Sequence, residues 1–221
     1  MIDVLTGQTE RHLVMFRKWQ VHRDVLIPLQ NLFTAADASG LRLQIASSFR
    51  SYERQVIIWN EKSRGIRPLY DRLGNLIDIA GFSSEEVVEA ILNWSTPPGC
   101  SRHHWGTDFD YYDLSRCSKD YKLKLTPDEY APGGPFERAA HWLAQNMESF
   151  GFFQPYNLSL ARGPAPEPWH LSAKIPAQTL QKQFDFALFQ NFLQSAQFDR
   201  VEVLRSQAQR IFDEFVQSES E

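Results

Sequence analysis

The chain is poor in sulfur, with two cysteines and three methionines in 221 residues. Cys100 and Cys117 have neither the spacing of a C-x-x-C metal knuckle nor the number needed for a disulfide framework. They read as two reduced thiols, and a single bridge would require export to an oxidising compartment. An excess of basic charge is also missing. Twenty-three Lys and Arg stand against 27 Asp and Glu, for a net charge of −4, and the signs are mixed along the chain. Duplex nucleic acid is therefore not an expected partner. Any anionic ligand would need a local basic pocket. No apolar run is long enough to span a bilayer. The N-terminal stretch MIDVLTGQTERHLVMFRKWQ has no basic segment followed by an apolar one, so no secretory leader is visible. A cytoplasmic location is expected on that basis, or a periplasmic one if a leader has been removed. There are no internal repeats, and no G-x-S-x-G elbow for a serine hydrolase.

What remains is an ordinary globular composition, 43% hydrophobic and 23% charged, with enough length for one sizeable core and an extension. Residues 10–38 are expected to be helical, kinked at Pro28 and closed by Gly40. LRLQIAS alternates, with Leu41, Leu43 and Ile45 on one face, and predicts a strand. SYERQVIIWNEKSRG predicts a helix stopping near Gly65, followed by a loop or hairpin with a turn at Gly74-Asn75. Ser83 and Glu86 make a capping box for the helix EEVVEAILNW. TDFDYYD alternates as a strand, and FERAAHWLAQNMESFG is an amphipathic helix ending at Gly151. Residues 154–166, rich in Pro and Gly, predict a loop, and EPWHLSA a short strand. From Pro176 onward, Phe184, Leu188, Phe192, Val201, Leu204, Ile211 and Phe215 fall near helical spacing. They predict one or two long helices, packed on the core or meeting a second copy as a homodimer. The expected organisation is a domain over 1–175 and a helical extension over 176–221.

Two segments concentrate the chemistry, SRHHWGTDFD at 101–110 and EPWH at 167–170. A catalytic zinc takes three protein ligands from His and carboxylate and keeps a fourth position open. It also needs a general base that is not a ligand. His103, Asp110 and His170 can supply the ligands and Glu167 the base. Geometry sets conditions. Positions 103 and 110 are an odd number apart and would face opposite sides of a continuous strand, so Gly106 has to break it. Glu167 and His170, three apart, need a bend at Pro168. By spacing alone His104, Asp108 and Asp113 compete for the ligand roles, and a polar loop with a core histidine also fits.

The same segments carry a resemblance. SRHHWGTDFD resembles the S-x-H-x-x-G-x-x-x-D segment of the VanY-like D-alanyl-D-alanine carboxypeptidases. EPWH resembles their E-x-W-H segment, and SSFRSYERQ at 47–55 their S-x-[FY]-R-S-x-x-x-Q segment. All three stand in the family's order, and the likeness spans about residues 38–173. It implies an α+β fold, a small antiparallel sheet with flanking helices around a zinc cleft. It implies His103, Asp110 and His170 as zinc ligands, which decides against His104 and Asp108. It also implies Glu167 as catalytic base and Arg50 as the residue that binds the substrate's terminal carboxylate. Gln55 and Ser101 fall where the family lines its pocket. Asp108 is a departure, since many members carry a small residue there. On the strand it shares a face with Asp110, where it either orients a ligand or sits at the rim.

The resemblance implies a zinc metallopeptidase that releases C-terminal D-alanine from peptidoglycan-derived peptides. The absence of a leader favours the L,D-carboxypeptidase form on tetrapeptides, in murein recycling, over the D,D form on pentapeptides. A murein endopeptidase and a zinc-binding module without catalysis are the alternatives. Arg50 argues against the first and Glu167 against the second.

Overall fold

The computed structural model describes residues 2–118, 120–157 and 163–217. The expected loop at 154–166 and the extension expected to run to 221 therefore lie partly outside the described residues. One helical turn, α1 (Ile2–Leu5), leads to a hairpin of β1 (Leu13–Phe16) and β2 (Trp19–His22). This corrects the helix expected over residues 10–25. Phe16 and Val21 point inward from the two strands, and Met15 is exposed. Arg17 makes the two-residue turn at φ 55°, and its guanidinium lies over the rings of Phe16 and Phe33. The expected helix is confined to α2 (Leu26–Ala38) and ends at Gly40, as expected, with φ 75°. Pro28 does not kink it. Proline falls there in the first turn, where a backbone N–H would have no helical acceptor.

Next come β3 (Leu43–Ser47) and α3 (Tyr52–Ser63). Ser51 caps α3 by accepting from Arg54 N at 3.2 Å, which gives the serine after Arg50 a structural purpose. A small hairpin of β4 (Leu69–Tyr70) and β5 (Leu76–Ile77) precedes α4 (Ser84–Leu92). Both bonds of the Ser83–Glu86 capping box form. Strand β6 (Asp108–Asp113), helix α5 (Glu137–Asn146), strand β7 (Phe152–Phe153) and strand β8 (His170–Ala173) complete the part that carries the chemistry.

The main sheet is antiparallel with strand order β3-β6-β8-β7. Side chains alternate across it. Leu43, Ile45, Phe109, Tyr111, Leu171 and Ala173 enter an apolar cluster with α2 and α5. The register sets Asp110 opposite His170 and Asp108 opposite Ser172 on the other face. Pairing of β6 with β8 is thus what brings together residues sixty apart in the chain.

The extension is not one or two long helices. It is α6 (Lys174–Gln181), α7 (Phe186–Ser195), α8 (Val201–Ser206), α9 (Ala208–Ile211) and a π-helical turn at Phe212–Val216. Phe184, Phe192, Val201, Leu204, Ile211 and Phe215 bury against α3 and α4 in a second apolar cluster. Trp59 of α3 donates its indole N–H to the carbonyl of Asp199 at 2.8 Å, and Arg64 grips the Asp199 carboxylate through two nitrogens. These helices brace α3 from behind.

Gly106 meets the condition set by the sequence. It stands at φ 67° after a 3-10 turn (Arg102–Trp105), so the chain reverses before β6 begins. Its carbonyl accepts from His22 N at 2.7 Å. A Cβ there would lie 2.5 Å from Leu13 Cδ2 and 2.9 Å from the His22 nitrogen. Gly106→Ala is therefore expected to destabilise the protein by about 1–3 kcal/mol through the left-handed φ alone, with the clash adding to it. Thermal unfolding checks this, and an unchanged melting temperature would contradict the packing described.

Candidate metal centre and substrate cleft

His103, on the 3-10 turn, hydrogen-bonds through Nδ1 to the carbonyl of Ser48 at 2.8 Å. A carbonyl only accepts, so Nδ1 carries the proton and the Nε2 lone pair is free. That nitrogen lies 3.5 Å from Asp110 Oδ2. His170 is oriented the opposite way. Its Nε2 donates to Asp108 Oδ1 at 2.9 Å, which leaves Nδ1 as the free lone pair. Nδ1 lies 3.2 Å from Asp110 Oδ1 and 3.4 Å from Glu167 Oε2. Both Asp110 Oδ1 and His170 Nδ1 are buried without a hydrogen-bond partner. One donor atom each from His103, Asp110 and His170 fall within 4.8 Å of one another.

This set fits a zinc ion. Ligands about 2.0–2.1 Å from a tetrahedral metal stand roughly 3.3 Å apart, and each histidine nitrogen lies near that distance from one of the two Asp110 oxygens, 3.5 Å from Oδ2 and 3.2 Å from Oδ1. Two orphaned acceptors, which would be costly if left so, would become ligands. The charges agree as well. Burial lowers the proton affinity of His170, but its bond to Asp108 and the nearby carboxylates of Asp110 and Glu167 outweigh this and raise its pKa well above the ordinary histidine value. The cluster calls for a positive charge at its centre, which a divalent ion supplies in place of the proton. His103 has burial as its main influence and is drawn down to about 3, so it stays neutral as a ligand must.

Asp108 is fully buried beneath the site. It accepts from Arg102 Nε at 2.8 Å, from Thr107 Oγ1 at 2.5 Å and from His170. Burial alone would raise its pKa, but the Arg102 guanidinium and the bond to His170 hold it well below the carboxylate range. Arg102 also donates to Ser172 Oγ at 2.7 Å. Asp108 thus orients a ligand and is not a rim residue. Asp113 accepts from Arg42 N and Ser115 N and ties the start of β3. His104 uses both nitrogens on backbone, Nδ1 on the Arg50 carbonyl at 2.6 Å and Nε2 on Gly99 N at 3.1 Å. Neither of its nitrogens is available to a metal.

Glu167 comes from the bend expected at Pro168. His170 N donates to the Glu167 carbonyl at 3.0 Å, a turn that turns the Glu167 side chain toward His170. Burial raises its pKa above that of an ordinary glutamate, which suits a proton acceptor. Arg50 reaches the same space, a cleft of about 350 Å³ lined also by Ser101, Trp94, Tyr156 and Trp169. Its Nη1 donates to Gln55 Oε1 at 2.9 Å and its Nη2 to Ser47 Oγ at 3.3 Å. Gln55 does not line the cleft as expected. It lies behind the wall, fully buried, and aims Arg50. Cys100 is buried with its thiol pKa pushed up by burial, and both cysteines are free.

Arg102, Thr107, Tyr156 and Trp94 complete the site and were missed in the sequence. Tyr156 sets its ring 4.9 Å from that of His170, and Trp94 stacks on Trp169 at 5.9 Å. For Arg102 a signal existed, a basic residue beside His103 within reach of a buried Asp108. Tyr156 and Trp94 had none, since long-range packing brings them in.

Asp108→Ala leaves His170 without its orienting acceptor and Arg102 buried and unpaired. It is expected to weaken metal affinity about 10–100-fold, read by competition with a chromophoric chelator. Unchanged affinity would show that Asp108 does not govern His170.

The sequence model of the VanY family, described as D-alanyl-D-alanine carboxypeptidase, matches residues 18–173. An uncharacterised protein of Haemophilus influenzae (strain ATCC 51907 / DSM 11121 / KW20 / Rd) is 32% identical over 117 residues, 52% of this chain and 89% of that protein. A D-alanyl-D-alanine carboxypeptidase of Enterococcus faecalis (strain ATCC 700802 / V583) is 27% identical over 144 residues, 64% of this chain and 44% of that protein. Among solved structures, a mutant of the vancomycin-resistance D,D-pentapeptidase VanY in complex with Zn(II) superposes with a TM-score of 0.53 at 22% identity, covering 79% of this chain and 85% of that one. The LD-carboxypeptidase LdcB superposes with a TM-score of 0.53 at 22% identity, covering 80% and 76%. These structures share the fold, and the chain belongs to the VanY family of D-alanyl-D-alanine carboxypeptidases.

Proposed function

We propose that this protein is a zinc carboxypeptidase that removes the C-terminal residue, a D-alanine, from peptidoglycan peptides. The observation that carries this reading is the meeting of three elements in one cleft. A buried His/Asp/His set has its free lone pairs turned inward, a carboxylate of raised pKa stands beside it, and a guanidinium lines the same wall. The Zn(II) complex of the VanY relative supports the choice of metal.

His103 Nε2, Asp110 and His170 Nδ1 would hold the zinc. When bound, zinc supplies Lewis acidity, polarising a carbonyl and acidifying water. Arg50 offers two N–H groups in a plane to the peptide's terminal carboxylate, with Gln55 fixing the plane. That fixes which peptide bond lies over the metal set. Glu167 accepts the proton of the attacking water and returns it to the nitrogen of the departing amino acid. The indole of Trp169 and the ring of Tyr156 narrow the cleft around these groups and limit access of other water.

Two bond types share this chemistry. The L,D form cuts before the single D-alanine of a tetrapeptide, and the D,D form cuts D-alanyl-D-alanine in a pentapeptide. Purified protein is to be incubated with each peptide, with a chelator and with zinc restored. Chelation is expected to abolish D-alanine release and zinc to restore it. Release from the tetrapeptide would name the L,D form, and release from the pentapeptide alone the D,D form. Cleavage of cross-linked dimers without free D-alanine would sink the reading in favour of an endopeptidase. Glu167→Gln is expected to keep zinc and lose about 10²–10⁴-fold in kcat. Retained activity with retained zinc would remove Glu167 from the mechanism.

A further inference from the structure

We propose that Lys62 is a second carboxylate-binding residue of this cleft, sharing with Arg50 the C-terminal carboxylate of the substrate. The proposal rests on the carboxypeptidase reading and deepens it. Lys62 lies two helical turns beyond Gln55 on the same face of α3. On a helix, a long side chain leans toward the N-terminus, here toward Gln55 and Arg50. Hydrogen bonds link the three through one short segment. Lys62 Nζ donates to Ser95 Oγ at 2.7 Å. The carbonyl of the next residue, Thr96, accepts from Gln55 Nε2 at 2.8 Å. Gln55 Oε1 in turn accepts from Arg50 Nη1 at 2.9 Å. Both cations are moored to one two-residue segment, and Arg50, Lys62, Ser95 and Thr96 all line the cleft.

Charge makes the arrangement informative. Lys62 forms no ion pair among the described residues, and the adjacent Glu61 is taken by Arg67. Burial, and then repulsion from Arg50, draw the ammonium down to about 8 against a smaller opposing pull from Glu167. A part-buried ammonium whose one hydrogen-bond partner among the described residues is a hydroxyl gains from a further anion beside it. A carboxylate lying between the two cations would relieve both the desolvation and the repulsion. A wall held by Ser95 alone needs no charge at position 62, because a neutral donor would serve.

The test compares wild type, Lys62→Met and Lys62→Arg, each loaded with zinc and checked for metal content and melting temperature. Two substrates are used, the cleaved peptide with diaminopimelate at its third position and the same peptide with lysine there. Lys62→Met is expected to raise KM at least tenfold on both, with kcat within about twofold, and to raise the inhibition constant of D-alanine by a similar factor. Lys62→Arg is expected to recover most of the loss. An unchanged KM and D-alanine inhibition constant in a wild type that releases D-alanine would overturn this assignment and leave the carboxypeptidase reading intact. A KM effect confined to the diaminopimelate peptide would also overturn it, by moving the ligand of Lys62 to the side-chain carboxylate. A fall in kcat with a lowered melting temperature and no change in D-alanine inhibition would reduce Lys62 to an anchor for Ser95. Wild type that releases no residue from any peptide would sink the carboxypeptidase reading itself.

Discussion

Asp108 cannot be buried beneath a metal site without a counter-charge, and the way it is compensated organises the centre. Arg102 provides the positive charge, and His170 provides a second donor. A buried ion pair adds little net stability, because desolvation consumes most of the Coulombic gain. What it adds here is direction. With Nε2 committed to Asp108, His170 has one nitrogen left, and that nitrogen faces Asp110 and Glu167. The arginine that holds Asp108 also ties Ser172 on β8, so the strand carrying His170 is fixed by the same group that fixes its ring.

Backbone supplies the complementary constraint. His103 is held by the Ser48 carbonyl just past β3, and β3 pairs with β6 through a bulge near Ser47, opposite Asp110. Each ligand is therefore set by a group on a neighbouring element. A site built this way has little freedom to adjust its ligand spacing, which favours a preorganised centre. Ser48, Arg102, Thr107, Asp108 and Ser172, which hold the two histidines, are all buried, so water competes little for those hydrogen bonds.

The alternation of TDFDYYD, the Ser83–Glu86 box and the break demanded of Gly106 could be read locally, because each depends on neighbours a few residues away. The first hairpin could not. Leu13 and Phe16 are three apart, as on one face of a helix, while Val14 and Phe16 are two apart, as on one face of a strand, so local spacing does not decide between them. The turn is made by Arg17-Lys18, which carries none of the usual Gly or Asn signals. The extension was read as long helices because its apolar spacing runs on without Gly or Pro. The chain is interrupted near Asp199 for a tertiary reason, since its carbonyl receives Trp59 and its N–H goes to Asn60. At the site, motif order picks out the His103, Asp110 and His170 cluster that the fold brings together. The role of Gln55 could not be read in the same way, because a glutamine that aims an arginine and one that touches substrate look alike in sequence.

In the proposed reaction, the separation between the metal set and Arg50 would decide which bond is cut, and the main chain holds that separation. Arg50 N donates to the His103 carbonyl at 3.1 Å, and the Arg50 carbonyl accepts from His104 Nδ1 at 2.6 Å. The loop that presents the guanidinium is thus hydrogen-bonded on both sides to the turn that presents the first ligand. Neither can shift without the other. On the proposed reading, a peptide held at Arg50 by its terminal carboxylate would place a single bond over the metal set, whatever lies upstream. Selectivity for the chain end needs no pocket for the whole peptide, only a ruler one residue long. His104, adjacent to His103 with both nitrogens on backbone, would be part of that ruler. On this argument its place in the motif follows from holding Arg50 at the correct distance, and its two nitrogens are spent on backbone for that reason.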